Sequence, residues 1–372
     1  MCTRCVTALI GKAVFTCWVL TLRATVVGTL EATSTVVITL EATTAVIVTL
    51  EATATVVVTL EATATVVIAL EAATIVIAET ATAVVIATLA TEATTVIIAE
   101  TATTVIITLE ATTAVVITLE ATATVVITLE AATVIIAETA TAVIVTLEAT
   151  ATVVIALEAT TAVVIATLAT ETTTIIIAET ATAVVVTLEA ATIVIAETAT
   201  AVVITLEATT AVIVTLEATT AVVITLEATA TVVITLEATA TVVITLEAAT
   251  IVIAETATTV VITLEAATVI IAETATTVVI ALEATTAVVI ALEATTAVVI
   301  ALEATTAVVI TLEATATVVI TLEAATAVVV ALEVTAAVSI TVTAEATTVI
   351  VAALEITTVV ATLEAIAGVV AV

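Results

Sequence analysis

Residues 227–236 read Glu-Ala-Thr-Ala-Thr-Val-Val-Ile-Thr-Leu, and residues 237–246 repeat the same ten letters. Odd positions of this repeat are Glu, Thr, Thr, Val and Thr, whereas even positions are Ala, Ala, Val, Ile and Leu. Polar and apolar residues that alternate with a period of two predict a β-strand with one buried face. At about 100° per residue the apolar positions would scatter around a helix, and six of the ten residues are β-branched, which disfavours helix. The repeat therefore predicts an all-β protein.

Copies of this repeat extend from Thr21 to about Glu333, after a non-repetitive lead-in at 1–20 and before a degenerate tail at 334–372. Successive Glu residues are mostly ten apart and sometimes eight. Because both intervals are even, the alternation is expected to survive from repeat to repeat, with every Glu on the polar face. Two intervals of thirteen contain an inserted Ala-Thr-Leu-Ala-Thr, at 87–91 and 166–170. An odd insertion would exchange the two faces, so we expect a bulge or loop at each one.

The connections between strands distinguish the candidate β architectures. Ordinary repeats lack Gly, Pro, Asn and Asp, so tight hairpin turns have no suitable residues. A parallel β-solenoid with gentle corners at Glu-Ala-Thr suits this composition, with two repeats in a coil of about twenty residues and strands about 4.8 Å apart. Such stacking would align Glu in columns, at a repulsion of about 0.9 kcal/mol per pair in water. The alternatives are an antiparallel β meander and an aggregating β assembly.

Charge limits the partners. The net charge is −32, all 35 acidic residues are Glu, and the basic residues are only Arg4, Lys12 and Arg23. Nucleic-acid binding needs clustered Lys and Arg, so no nucleic-acid partner is expected. The longest uncharged stretch of the array has twelve residues, which is short of the roughly 20 of a spanning helix, so no transmembrane span is expected. Localisation stays open, and the alternative of secretion applies if residues 1–28 act as a signal peptide.

The residue types that catalysis needs are almost missing. The sequence has no His or Asp, one Lys, and three isolated Gly residues. Cys2 and Cys5 form a Cys-x-x-Cys spacing, but with Cys17 they supply only three of the four ligands of a structural zinc site. Thirty-five Glu residues in near-identical repeats are expected to be nearly equivalent, which gives no asymmetric acid–base pair. We therefore predict no catalytic, cofactor-binding or metal-binding residues, and no enzyme activity.

The composition favours a non-catalytic, low-complexity tandem-repeat protein that is structural or self-associating. Uncharged segments such as 35–39 (Thr-Val-Val-Ile-Thr) have the composition of aggregation-prone strands, and the regularly spaced Glu residues would keep them soluble. A second interpretation is an expanded-repeat reading frame without a selected role, because the repeats differ mainly by exchanges of Ala for Thr and Val for Ile.

The competing functional class is a surface-binding module, for ice or divalent cations, on a regular solenoid face. Thr53-Ala54-Thr55 resembles the Thr-x-Thr steps on the ice-facing surfaces of β-solenoid antifreeze proteins. Many repeats depart from this step, as in the Glu-Ala-Thr-Thr-Ala of 41–45, and the repeats have no Cys for that family's disulfides. The Glu array could instead bind divalent cations weakly through carboxylate oxygens.

Overall fold

The structure is a computed structural model, and it describes the backbone over most of the chain. The description runs from residue 3 to 371, with side-chain environments given mainly between 31 and 341. It omits 7–9, 16–17, 24–25, 33–34, 43–44, 53, 63–64, 89–94, 112, 169–173, 305, 316, 325–326, 335–336, 345–347, 355–357 and 366–368. The described residues are almost all β-strand and contain no helix. In this part of the chain, accordingly, no helix is long and apolar enough to cross a membrane.

The described residues form twenty-one strands, which follow one another in sequence order. Some are single short segments, whereas others run without interruption through many corners and so cover several coils. In order they are β1 (Thr3–Val6), β2 (Ile10–Phe15), β3 (Trp18–Arg23), β4 (Val26–Ala32), β5 (Val36–Ala42), β6 (Val46–Ala52), β7 (Thr55–Ala62), β8 (Thr65–Glu71), β9 (Thr74–Thr88), β10 (Thr95–Glu110), β11 (Ala114–Leu168), β12 (Thr174–Ala228), β13 (Thr231–Ala238), β14 (Thr241–Ala304), β15 (Ala307–Ala314), β16 (Thr317–Ala324), β17 (Ala327–Val334), β18 (Ala337–Ala344), β19 (Thr348–Leu354), β20 (Thr358–Ala365) and β21 (Val369–Ala371).

Parallel pairing between alternate repeats builds the fold. β3, β5 and β7 pair in one series, β4, β6 and β8 pair in a second, and β9 joins both. The partners are about twenty residues apart, as in Val36↔Val56 and Val46↔Val66. One coil therefore contains two repeats, one in each series. This confirms the predicted parallel β-solenoid, and the antiparallel meander is not what the chain forms.

We call the two series ladder 1 and ladder 2. The chain divides into two compact units, Met1–Ala190 and Ala191–Val372, and each is described by itself. In the N-terminal unit, ladder 1 contains β7 and the first half of β9, and ladder 2 contains β8 and the second half of β9. The C-terminal unit has two series of its own, to which we give the same labels: ladder 1 of this unit contains β13 with residues 211–218 of β12, and ladder 2 of this unit pairs residues 221–227 of β12 with β14.

The core lies between the two ladders and consists of the even positions of the repeat. Val222, Ile224 and Leu226 are at most 2% exposed, whereas the intervening Val223 is 38% exposed. The alternation within each strand therefore follows the sequence pattern. At roughly 1.5–3 kcal/mol for each fully buried Val, Ile or Leu, these inward columns are the main stabilising contribution to the stack.

Threonines stabilise the corners without glycine. Between β12 and β13, the backbone N–H of Thr229 donates to the carbonyl of Ala208 at 3.2 Å, one coil away. The Thr229 hydroxyl donates to the neighbouring carbonyl of Thr209. Thr239 repeats both contacts at the next such corner. Corner backbone groups are thus paired from coil to coil, because each corner stacks on the equivalent corner one coil earlier.

The two insertions fall where strands stop. β9 ends at Thr88 and β10 begins at Thr95, whereas β11 ends at Leu168 and β12 begins at Thr174. The bulge or loop predicted at each insertion falls largely on residues 89–94 and 169–173, which lie outside the described residues. Val84 before the first insertion and Val96 after it are both fully buried, so the core face is recovered on the far side.

Candidate functional site: buried glutamates of ladder 1

Among the glutamates whose side chains the structure describes, seven lie inside the solenoid instead of on its surface. Each is only 4–5% exposed, and each occurs in the sequence Ala-Glu-Thr instead of Leu-Glu-Ala. They are Glu79, Glu100, Glu138, Glu179, Glu197, Glu255 and Glu273. The expectations that every Glu lies on the polar face and that all are nearly equivalent are therefore wrong.

The position of Glu relative to the core residues explains the inward direction. The buried residues Val66, Ile75 and Val84 are nine residues apart, whereas Val46, Val56 and Val66 are ten apart. The corner before Ile75 lacks one residue of the usual Glu-Ala-Thr-Ala-Thr, and the strand then reaches Glu79 where other strands have Leu. The register gives this directly, since Leu60 pairs with Glu79. The eight-residue interval between glutamates is thus a nine-residue repeat in which Glu has moved to the adjacent, inward position.

All of these glutamates whose pairing is recorded belong to ladder 1. In the N-terminal unit, Glu79 pairs with Glu100, and Glu100 pairs in turn with Leu119. Further along the same unit, Leu157 pairs with Glu179. In the C-terminal unit Leu236 pairs with Glu255. In the inward column of this ladder, Glu therefore takes the place of Leu at some coils. In places these coils are successive.

Burial changes the acidity of these groups. Desolvation raises the pKa of Glu79 from 4.5 to about 8, and the pKa values of Glu138, Glu197 and Glu273 rise to about 8 for the same reason. Glu100 rises further, to about 9, because the charge of Glu79 adds to the effect of burial. At neutral pH the protonated form of these side chains is therefore the favoured one.

Glu255 and Glu273 form a second interacting pair. Burial, and then the charge of Glu273, raise the pKa of Glu255 to about 9. The two residues are eighteen positions apart, which matches the offset of two successive nine-residue repeats, as in Thr65↔Ala83. Neither carboxyl has a hydrogen-bond partner, and the same holds for Glu79 and Glu100. These groups can take up or release protons.

On the outer surface of the solenoid, the inward orientation of these glutamates leaves gaps in the column of acidic side chains. The position after Glu79 is Thr80, which is exposed and pairs with Glu61 on one side and Thr101 on the other. Ladder 1 therefore has threonine where the ordinary repeat has an outward Glu. Each inward glutamate is followed by an exposed Thr in the same way.

Both ladders also expose large apolar side chains. The seventh position of the repeat points outward and is Val or Ile, with exposures from 36% to 45% at the most exposed positions. Ile97 lies on ladder 1 of the N-terminal unit, in register with Val76, and counting alternate repeats along the chain assigns Ile135 and Ile176 to the same ladder. Ile106 and Val185 lie on ladder 2 of the same unit, in register with Val85 and Val164 respectively. Each outer face thus has a column of branched apolar side chains with threonines and alanines beside it.

The residues singled out from the sequence lie away from these features. Cys5 belongs to β1, whereas Cys2 and Cys17 lie outside the described residues. Thr55 begins β7, whereas Thr53, the other threonine of the Thr-x-Thr step, lies outside the described residues. Within the described part of the chain, no three Cys or Glu side chains are grouped so that they could hold a metal ion.

Comparison with known proteins adds no functional assignment. No protein-family model, curated protein or solved structure matches this chain.

Proposed function

We propose that this protein is a non-catalytic structural element that associates with further copies of itself through a flat solenoid face. The supporting observation is the outward Val and Ile column. Ile97, Ile135 and Ile176 are each 40–42% exposed, and they recur along one face of the N-terminal unit. Two such faces can pack about 10 Å apart with interdigitating side chains, as stacked sheets do.

The face of ladder 1 is the better contact surface because its acidic column is interrupted. Thr80 and Thr101 occupy consecutive outward positions that would otherwise be Glu. In ladder 2 of the same unit, outward glutamates continue at Glu51 and Glu71, which are in register. Like charges brought together across an interface repel, and several of them oppose association. A glutamate that points inward therefore removes a negative charge from the outer face of its ladder.

Burial of the exposed part of these side chains gives the scale of the attraction. A fully buried Ile contributes roughly 1.5–3 kcal/mol, so covering a side chain that is 40% exposed contributes about 1 kcal/mol. A few such residues do not overcome the entropy lost on association. Many coils aligned face to face bury enough apolar surface to overcome this entropy loss. This favours an extended contact over a small one.

The test compares matched triple variants on the two faces. Sedimentation velocity of the purified chain should show oligomers that are lost in Ile97→Thr/Ile135→Thr/Ile176→Thr. Threonine is chosen because it keeps the β-branched shape and the strand propensity.

The control set is Ile106→Thr/Ile144→Thr/Val185→Thr on ladder 2, whose side chains are 39–43% exposed. This set should leave association largely intact. A chain that stays monomeric over the whole concentration range would contradict the proposed function. Equal loss in both sets would contradict the choice of ladder 1.

A further inference from the structure

The strongest unexplained feature is the stacking of buried carboxyls in an apolar interior. Glu79 and Glu100 are adjacent in ladder 1, with Leu60 before them and Leu119 after them. Along its own strand, Glu79 follows the fully buried Ile77 at the preceding inward position. The oxygens of both carboxyls are buried and have no hydrogen-bond partner.

The charged groups of the neighbouring strands offer no compensation. β7 contributes Glu61, which pairs with Thr80 and is exposed. β8 contributes Glu71, also exposed, and β10 contributes Glu100 and Glu110. β11 contributes Glu120, which pairs with Thr101. All of these groups are acidic, and an acidic neighbour makes a second buried negative charge more costly.

The C-terminal unit repeats the arrangement. Glu255 pairs with Leu236 of β13, whose next residue is the exposed Glu237. Glu273 and the outward Glu247 and Glu265 belong to β14, the strand that contains Glu255. No basic residue occurs anywhere after Arg23. Neither pair can therefore be neutralised by a salt bridge within the array.

Protons are the remaining means of neutralisation. An isolated carboxylate in such a site costs so much desolvation energy that the group protonates instead. In the unfolded chain the same glutamates are in water and ionise in the ordinary way. Closing these coils must then draw protons from solvent, one for each carboxyl that becomes neutral.

We propose that the buried pairs Glu79–Glu100 and Glu255–Glu273 are proton-binding sites that make closure of their coils depend on pH. Each pair binds protons from water as the coils close, so that its two carboxyls become neutral. Loss of the protons leaves two adjacent negative charges in the core and opens these coils. Acidic pH therefore stabilises the folded solenoid, and alkaline pH opens these coils.

The direction of the pH dependence follows from the pKa shifts of these groups. Their pKa values in the folded chain, about 8 and 9, lie above the ordinary 4.5. A group of this kind contributes stability that is fully present below the unfolded pKa and is lost as pH rises through the folded pKa. The stability contributed by these groups is therefore lost between about pH 4.5 and about pH 9.

The experiment measures carboxyl protonation directly in the full-length chain. Infrared difference spectra, recorded as pH is raised, should show a neutral-carboxyl C=O band that persists at pH 7. That band should disappear by about pH 10, where even a group with pKa 9 is about nine-tenths ionised. Circular dichroism on the same samples should show loss of β structure over the same range.

Two variants assign the effect. Replacing the seven Ala-Glu-Thr glutamates by Leu, the residue that the same ladder has at Leu60 and Leu236, should abolish the band and make the β signal independent of pH between 7 and 10. A matched variant with seven outward glutamates changed to Gln, including Glu71 and Glu247, should keep the band. If the seven-Leu variant does not fold, the wild-type infrared titration still decides the proposal. A folded wild type with no neutral-carboxyl band at pH 7, or a folded seven-Leu variant with unchanged alkaline unfolding, would overturn it.

Discussion

Replacing one buried glutamate by leucine should stabilise the protein, and the gain should depend on pH. Glu255→Leu is the clearest case because Leu236 occupies the equivalent position in the preceding coil of ladder 1. Leucine therefore fits a column that already contains it. The substitution removes a group whose pKa rises to about 9 in the folded chain, through burial and the charge of Glu273.

The magnitude follows from the two pKa values. At pH 7 the folded chain holds this carboxyl neutral, whereas the unfolded chain ionises it with a pKa of 4.5. The difference of 2.5 pH units corresponds to about 3.4 kcal/mol at 1.36 kcal/mol per unit. Burial of the Leu side chain adds roughly 1.5–3 kcal/mol at any pH. At pH 4 almost all of the first contribution is gone, so the gain in unfolding free energy should be about 3 kcal/mol larger at pH 7 than at pH 4.

Urea unfolding followed by circular dichroism at the two pH values measures this difference. Glu247→Leu is the control, because Glu247 is exposed and its removal should change the free energy of unfolding by nearly the same amount at both pH values. An equal gain for Glu255→Leu at pH 4 and pH 7 would contradict this prediction. It would mean that the carboxyl at 255 is either ionised in the folded chain or exposed to water.

Three further predictions concern the core, the corners and the outer columns. Ile224→Ala should lower the free energy of unfolding by about 2–5 kcal/mol in urea titration, because Ile224 is fully buried, whereas Val223→Ala beside it should cost far less. Thr229→Val should cost about 1 kcal/mol in the same assay, since its hydroxyl donates to the Thr209 carbonyl, and a similar loss for Thr225→Val on the flat face would contradict a corner role. Added salt should raise the thermal midpoint at neutral pH, because outward glutamates such as Glu217 and Glu237 stack in register, and a midpoint unaffected by salt would contradict that stacking.

Much of the fold could be predicted from the repeat because the deciding features are local. Alternation within residues 231–236 marks an inward and an outward face, and the buried Val232 and Ile234 follow it. The lack of turn-forming residues indicated gentle corners, and these occur at Thr229 and Thr239. The twenty-residue coil follows from the ten-residue repeat once two ladders are assumed.

The buried glutamates could not be predicted by counting parity along the chain. Counting assumes a continuous strand, but each corner resets which face comes next. Glu79 lies four residues after the buried Ile75, an even offset that faces inward, whereas Glu71 lies five residues after the buried Val66 and faces water. The available signal was chemical: Glu79 follows Ala and takes the place of the usual Leu. Intervals between core residues, and not between glutamates, give the true repeat.

The two ladders and their inward columns depend on a parallel coil of about twenty residues. A spin-label distance tests that coil directly. Thr215 and Thr235 pair in register on the outer face of ladder 1, whereas Thr225 points outward from ladder 2. With the native cysteines replaced by serine, the labelled pair Thr215→Cys/Thr235→Cys should show strong dipolar broadening, because adjacent strands are about 4.8 Å apart. The pair Thr215→Cys/Thr225→Cys should show much weaker coupling, since its labels lie beyond two sheets about 10 Å apart. Stronger coupling in the second pair than in the first would contradict the solenoid and every inference built on its register.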